Sequence, residues 1–421
     1  MSGIWRSRPG AHELAPASAE HATEIAAGIW MSPGLSNSYL ISTDEGRIVI
    51  NTGMGFEGPV HRSLYDEVDG SPTRFVILTQ GHYDHVGGID HFLEEKTDVI
   101  AHQSWRTWRD DNERLASFRA KNSAFAFMDR VLAGMAATKA RFPESSQAQG
   151  VAEPTIEVSE RLSLSVGGRN LEIISVPGGE TTDSLVVWLP NEKILFSGNT
   201  FGPLFAHVPN LVTIRGDRYR DALTVVATIE KVRELGAETL ITGHFDPVHG
   251  ADVIDGELSR LRDAVQHVHD ETVAGMNAGK DVHTLMREIT LPEHLDIGEG
   301  YGKVSWDVRA IWENYAGWFH HTSTTELYPT QARAVHPELV RLAGGPGAMS
   351  AAAQARLEAD QPLEAIHLAE VALAYDPGYR DALGVMIHAH ESLLEASSNF
   401  WERSWLTRQL DILRARLQEV R

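Results

Sequence analysis

The sequence predicts an α/β protein in which many short strands form two sheets, followed by an all-α region. In the first 250 residues, short β-branched runs alternate with turn signals and only occasional helical segments, which is typical of a two-sheet sandwich. From about residue 251 the strand signals stop, and apolar residues recur at helical spacing. We therefore expect one domain over 1–250 and a helical region over 251–421.

The strands of the first region are predicted from apolar and β-branched runs bounded by turns. They are 38–42, 47–50, 75–78, 97–102, 162–166, 171–175, 184–189, 193–196 and 239–242. The turn Asp44-Glu-Gly46 between the first two indicates a hairpin. Helical segments are predicted at 104–141, as an insert or cap, and at 218–235.

Amphipathic patterns predict helices in the second region at 256–290, 305–316 and 348–421. The segment Pro362–Pro377 resembles the second helix of a tetratricopeptide unit. Because only one or two such units fit, 348–421 is interpreted as a tetratricopeptide-like packing or dimer module. The run Ala343-Gly-Gly-Pro-Gly347 is a predicted hinge.

The composition of the chain limits which macromolecules and metal ligands are expected. The chain has 421 residues and a formal net charge of −21, so binding to a nucleic-acid backbone is not expected. It has no cysteine, which leaves His, Asp, Glu, amides and water as the available metal ligands. No apolar run approaches a membrane span, and the first ten residues lack a secretory signal, so the expected location is cytoplasmic with no membrane partner.

Residues 79–88, Thr-Gln-Gly-His-Tyr-Asp-His-Val-Gly-Gly, form the most informative motif of the chain. They follow the predicted buried strand 75–78 and place His82, Asp84 and His85 within four positions. Two imidazoles and a carboxylate on one tight turn can converge on a single cation or on a close pair. This motif predicts a metal site.

Three later turns carry further candidate ligands, each shortly after a predicted strand. Glu180 follows strand 171–175, Asn199 follows 193–196 and His244 follows 239–242. Side chains at strand ends along one edge of a sandwich can share a cleft. Each is a weak signal alone, and their order after the first cluster gives them weight.

This order of turns resembles the metallo-β-lactamase superfamily, whose signature is His-x-His-x-Asp-His followed by ligands on later loops. The resemblance implies an αββα fold over residues 22–250. The stretches 210–221 and 301–319 resemble the alkyl sulfatase branch, and the second is similar to its helical dimerisation domain. The resemblance therefore implies a homodimer formed through the helical region and a small-molecule substrate.

The resemblance also implies two metal sites. The first would use Gln80, His82 and Glu180, and the second would use Asp84, His85 and His244. Asn199 occupies the position of the acid that normally bridges the two metals.

Three positions depart from the family pattern. Gln80 replaces a histidine, Asn199 replaces the bridging acid, and Asn51 stands where many members have an aspartate that supports the ligand loop. An amide oxygen is a neutral and weaker donor than imidazole or carboxylate. We therefore expect a complete second site and a weakened first site, with one or two divalent ions bound.

The function implied is a metal-dependent hydrolase resembling alkyl sulfatases, acting through metal-activated water on a small organic ester, with sulfate esters as the candidate subclass. The candidate catalytic residues are Asp84 and Tyr83 in the ligand turn, with Arg215 and Arg309 as anion-binding candidates. The alternative is a non-haem iron oxygenase or oxidase on the same scaffold, because two His and one carboxylate also suit iron. Zinc is the first expectation for the metal, with iron or manganese as alternatives.

Overall fold

The computed structural model of the chain describes residues 3–151, 153–212 and 214–420. Thr213, which belongs to the sulfatase-like stretch 210–221, lies outside the described residues, as do Ala152, the first two residues and the last one.

The strands form two sheets, in each of which sequential strands are neighbours. The first sheet contains β1 (Thr23–Ala26), β2 (Ile29–Ser32), β3 (Ser38–Ile41), β4 (Arg47–Ile50), β5 (Thr73–Ile77), β6 (Asp98–His102) and β7 (Ile156–Val158). The second contains β8 (Arg161–Val166), β9 (Arg169–Ser175), β10 (Leu185–Leu189), β11 (Ile194–Gly198), β12 (Thr239–Thr242) and β13 (Val248–His249). The predicted hairpin of β3 and β4 is confirmed, with Tyr39 opposite Ile50.

The helices lie between and after these strands. They are α1 (Gly58–Val68), α2 (Tyr83–Val86), α3 (Trp105–Arg114), α4 (Ala116–Arg141), α5 (Ala222–Arg233), α6 (Ala251–Asn277), α7 (Val282–Glu288), α8 (Val304–Ala316), α9 (His336–Leu342), α10 (Pro346–Glu358), α11 (Pro362–Tyr375), α12 (Arg380–Ala396) and α13 (Phe400–Glu419). No helix among the described residues combines the length and the apolar character needed to span a membrane.

The main core lies between the two sheets. Ile48 and Ile50 of β4 point into it and meet side chains of the second sheet such as Val187, whereas Val49 points to the opposite face. This alternation follows from the two-residue period of a strand. The outer face of the first sheet packs against α1, α2 and α3, and α6 packs on β12 and β13 of the second sheet. The predicted αββα layering is therefore confirmed.

The topology brings several strand ends to one edge of the sandwich. Strands β9 and β11 both run antiparallel to β10, and β12 runs parallel to β11, so these three strands end at the same edge. Backbone hydrogen bonds connect the loops at this edge. Leu185 N donates to Thr79 O at 2.8 Å, and Gly243 N donates to Gly198 O at 2.8 Å. The loop after β5 thus meets the loops of the second sheet.

The chain divides into two compact units, one ending at Tyr315 and the other beginning at Ala316. Helices α6 to α8 belong to the first unit, where Asp307 of α8 accepts a hydrogen bond from Leu211 N at 3.2 Å. The helical region predicted from residue 251 therefore begins inside the first unit. In the second unit, α10 to α13 enclose an alanine-rich core that includes Ala365 and Ala369.

Candidate metal centre

The loop that follows β5 carries the predicted cluster and is held by backbone hydrogen bonds. His82 precedes the single turn α2, and the His85 carbonyl accepts from Thr52 N at 2.7 Å. Gly198 has a φ of 53°, and a Cβ there would lie 2.4 Å from Thr79 Oγ1. Only glycine allows β11 to end this close to the cluster loop.

Asn51 fixes the orientation of the His85 ring by contacting its Nδ1 atom. Its side chain is buried, and Oδ1 accepts from Thr79 N at 3.0 Å. Because a backbone N–H can only donate, this bond sets the orientation of the amide. Asn51 Nδ2 then lies 3.0 Å from His85 Nδ1 and donates to it. The His85 Nε2 atom consequently faces the cleft.

Asp84, His85 and His244 form one compact group of metal-capable side chains. Their ligand atoms all lie within 4.8 Å of one another. Asp84 Oδ2 lies 3.5 Å from His85 Nε2, and Ser36 Oγ donates to the same carboxylate oxygen at 2.7 Å. The Asp84 side chain is 30% exposed, while His85 is fully buried. The centre is therefore buried on one side and open to the cleft on the other.

The polar atoms of this group fit a bound cation. Among the described residues, both ring nitrogens of His244 are buried without a hydrogen-bond partner, and so is Asn199 Oδ1. A Cβ at Gly243 would lie 2.2 Å from Asn199 Oδ1 and 2.9 Å from His85 Cε1, so the amide lies next to the centre. Buried polar atoms normally have partners, and leaving them without one costs free energy. A metal ion between Asp84, His85 and His244 would bind one of the two His244 ring nitrogens.

The electrostatics of the centre favour the protonation states that bind metal. Burial lowers the pKa of His85 to about 3 and also lowers that of His244. Burial acts to raise the pKa of Asp84, but neighbouring imidazoles and the Ser36 hydrogen bond hold it well below its usual range. At neutral pH the group offers two neutral imidazoles and one carboxylate, which is a ligand set of catalytic zinc sites.

His82 lies in a different environment, although it belongs to the same turn. Arg215 Nη2 lies 2.8 Å from His82 Nε2, and the Gln80 amide lies 2.9 Å from His82 Nδ1. The edge of Trp108 approaches the same ring, with centroids 5.3 Å apart. Asp217 Oδ2 lies 3.7 Å from Nε2. Protein groups therefore surround His82.

Glu180 is also engaged by the protein. Arg220 Nη2 lies 3.0 Å from Glu180 Oε1, and both side chains are buried. The same carboxylate oxygen lies 3.8 Å from His82 Nδ1. A second ion pair joins Arg119 Nη2 to Asp217 Oδ1 at 3.2 Å. The buried carboxylate of Asp183 lies beside Gly81, so this half of the cleft holds three guanidinium groups and three carboxylates.

The structure brings most of the predicted site residues together. The metal candidates Gln80, His82, Asp84, His85, Glu180, Asn199 and His244 all lie at the shared edge, and Arg215 reaches it through His82. Tyr83 is 40% exposed. Arg309 instead donates to Glu313 one turn further along α8 at 2.8 Å.

Several residues near the site were not singled out as site residues by the sequence. Ser36 lies after β2 and hydrogen bonds to Asp84. Asp217 follows Arg215 by two positions, so its place in an Arg-rich turn was an available signal. Tyr301 is buried close enough to Arg215, Glu180 and Asp84 for their charges to affect its pKa, which burial raises above its usual value. Nothing local in the sequence marks Tyr301, because its place depends on the packing before α8.

Comparisons with known proteins agree with this geometry. Residues 31–244, just over half of the chain, match the metallo-beta-lactamase superfamily, and residues 281–415 match the alkyl sulfatase dimerisation family. A linear primary-alkylsulfatase of Pseudomonas sp. (strain ATCC 19151) is 27% identical over 87% of this chain and 72% of its own length. The alkyl/aryl-sulfatase BDS1 of Saccharomyces cerevisiae is 23% identical over 90% of this chain and 61% of its own length.

A solved structure extends the fold similarity. The stereoselective inverting sec-alkylsulfatase Pisa1 from Pseudomonas sp. superposes with a TM-score of 0.81 at 22% identity, covering 93% of this chain and 65% of that one. The chain thus spans less than two thirds of the length of Pisa1 and of the yeast relative. From the profile match and the ligand loops together, we conclude that the chain belongs to the metallo-beta-lactamase superfamily and carries an alkyl sulfatase dimerisation region.

Proposed function

We propose that the chain is a metal-dependent hydrolase of small organic sulfate esters. One observation carries the proposal. The centre of Asp84, His85 and His244, in which neither His244 ring nitrogen has a hydrogen-bond partner among the described residues, lies close enough to Arg215 for its guanidinium to add to the burial that lowers the pKa of His85. The Pseudomonas and yeast relatives, which are named as sulfatases, support the same class of substrate.

The residues of the cleft have separate roles in this reaction. Asp84, His85 and His244 hold the ion, and a divalent cation supplies a Lewis acid that acidifies a water molecule. Arg215 donates hydrogen bonds to the sulfate group, because a planar guanidinium matches the oxygens of such an anion. Ser36 keeps Asp84 in place through its hydrogen bond. Tyr83, at the exposed end of the turn, contacts the organic part of the substrate.

Zinc is the proposed metal. Two neutral imidazoles and one carboxylate suit zinc and leave a position for water. Iron and manganese also accept such ligands, and elemental analysis of the purified protein separates the three. The oxygenase alternative gains no support, because the relatives that cover most of the chain are named as sulfatases.

We also propose that the protein is a homodimer formed through the dimerisation region at 281–415. One chain has a mass of 46.4 kDa. Light scattering coupled to gel filtration should therefore give twice that mass. A monomer mass across the concentration range would contradict the dimer without affecting the hydrolase proposal.

The direct test of the hydrolase is release of inorganic sulfate. Purified protein is assayed with a primary alkyl sulfate, a secondary alkyl sulfate, an aryl sulfate and the matching phosphate and carboxylic esters. We expect sulfate release that stops after treatment with a chelator and returns on addition of zinc. Sulfate release that persists in metal-free protein would overturn the proposal, and so would hydrolysis of the phosphate or carboxylic esters alone.

A further inference from the structure

His82 has no free lone pair for a metal ion. A neutral imidazole has one nitrogen that accepts and one that carries a proton. The guanidinium of Arg215 can only donate, and it lies 2.8 Å from Nε2, so Nε2 is the accepting nitrogen. The single lone pair of the ring is therefore used by a fixed positive charge. His85 Nδ1 also accepts a hydrogen bond, but its donor is the neutral amide of Asn51, so the two rings differ in the charge beside them.

The other nitrogen of His82 must then carry the proton. Nδ1 faces the Gln80 amide at 2.9 Å and Glu180 Oε1 at 3.8 Å. The structure places Gln80 Nε2 at this distance, and two donors cannot bond, so we assign the amide the rotated orientation in which its oxygen accepts from the protonated Nδ1. Gln80 and His82 thus satisfy each other. The amide oxygen that would replace a histidine ligand is used inside the protein.

Glu180 is neutralised in the same way. Arg220 pairs with its Oε1 at 3.0 Å, and Arg220 is itself fixed by donating to Asn210 O at 2.6 Å. A divalent ion bound between His82 and Glu180 would lie against two guanidinium groups in a cleft with few exposed atoms. Like charges at this separation in a buried site repel strongly. The two guanidinium groups therefore disfavour a metal ion between His82 and Glu180.

His244 differs directly, because both of its ring nitrogens are buried and neither has a hydrogen-bond partner in the described parts of the chain. We propose that the chain binds one metal ion, at Asp84, His85 and His244, and that the Arg215 guanidinium bound to His82 takes the place of a second ion. Arg215 then supplies the positive charge that faces an anionic substrate. His82 is a positioning residue for Arg215. The inference rests on the proposed hydrolase and specifies how its charge is arranged.

Metal stoichiometry tests the inference without any substrate. The full-length protein is stripped of metal, incubated with excess zinc, freed of unbound zinc by gel filtration and measured by elemental analysis and native mass spectrometry. The variants are His82→Ala and His85→Ala. His102→Ala is the matched control, because His102 is buried but bonds only to Ser104 and Ser175 through its ring. Circular dichroism and the melting temperature of each variant check the fold.

We expect one zinc per chain in the wild type, in His82→Ala and in His102→Ala, and less than a tenth of that in His85→Ala. Two zinc ions per wild-type chain, or loss of zinc in a folded His82→Ala, would overturn the inference and leave the hydrolase proposal intact. Absence of zinc from the wild type would overturn both. Should His82→Ala fail to fold, His82→Gln is measured in its place with the same expectations.

Discussion

The two halves of the cleft contain similar residue types but differ in what those residues contact. His85 and His244, together with Asp84, offer ligand atoms within 4.8 Å of one another, and the part of the chain that the structure describes gives the His244 ring nitrogens no hydrogen-bond partner. His82 and Glu180 lie at the same edge, yet Arg215 and Arg220 already bind them. The first half is arranged to receive a cation, and the second half already contains cations.

This difference shows that a ligand motif alone does not define a metal site. The number of His and acidic residues in the turn predicts two sites, whereas the guanidinium groups bound to His82 and Glu180 leave one half without a fixed positive charge and so support one. Gln80 stands where the family has a histidine ligand, and here its amide hydrogen bonds to His82. The following substitutions test this contrast in order of decreasing expected effect.

The largest effect is expected from His244→Ala in the metal-binding half. Losing a residue that only supports a ligand costs about 10- to 100-fold in metal affinity or activity. Loss of a ligand should therefore lower both zinc affinity and sulfate release by more than about 100-fold. Zinc competition with a chromogenic chelator and a sulfate-release assay give the two numbers. Retained zinc and activity in this variant would remove the contrast between the halves.

The next effect is expected from Arg215→Ala in the arginine half. A hydrogen bond to a charged group contributes about 1.5–3 kcal/mol, so kcat/KM for a sulfate ester should fall about 30-fold. Zinc content should not fall. Arg309→Ala is the matched control, since Arg309 pairs with Glu313 and its side chain is 45% exposed. An equal loss in both variants would show that Arg215 has no special role in anion binding.

Asn51→Asp should strengthen the metal-binding half. Asn51 now donates to His85 Nδ1, which favours the tautomer with a proton on Nε2, the nitrogen that faces the cleft. A carboxylate would accept from Nδ1 and leave the Nε2 lone pair for the metal. We expect zinc to bind about tenfold more tightly. Unchanged or weaker affinity in a folded variant would argue against binding through Nε2.

The smallest effect is expected from Tyr83→Ala. Tyr83 is 40% exposed at the end of the ligand turn, so its ring can contact substrate but does not hold the centre. Loss of about 1 kcal/mol of apolar contact should raise KM about fivefold with kcat unchanged. If the fall in kcat exceeded the rise in KM, Tyr83 would instead take part in the chemical step.

The sequence was sufficient for the strands that form the core and insufficient for several outer elements. Continuous apolar runs predicted β4 and β12, whose side chains are mostly buried. The strand β1, Thr23–Ala26, lacks such a run and exposes its first two residues, so no local pattern marks it. Helix α1 begins with Gly58 and Pro59 and was not predicted. Its place depends on packing against the first sheet.

The site was predictable where ligands are adjacent in sequence and less so where contacts are distant. His82, Asp84 and His85 lie in one motif, and the strand ends pointed to Glu180 and His244. The pairing of Arg215 with His82 joins residues 133 positions apart, and no local pattern predicts which partner a histidine has. The same holds for Tyr301, whose pKa responds to charges across the cleft. Three-dimensional contacts were therefore needed to distinguish the two halves.

The central claim is that a single metal centre at Asp84, His85 and His244 supports hydrolysis. The most direct measurement is a titration of metal-free protein with zinc in which bound zinc and sulfate release are followed together. We predict that activity rises in proportion to bound zinc and reaches its maximum at one zinc per chain. Activity that appears only as a second zinc binds, or that is independent of bound zinc, would contradict the account.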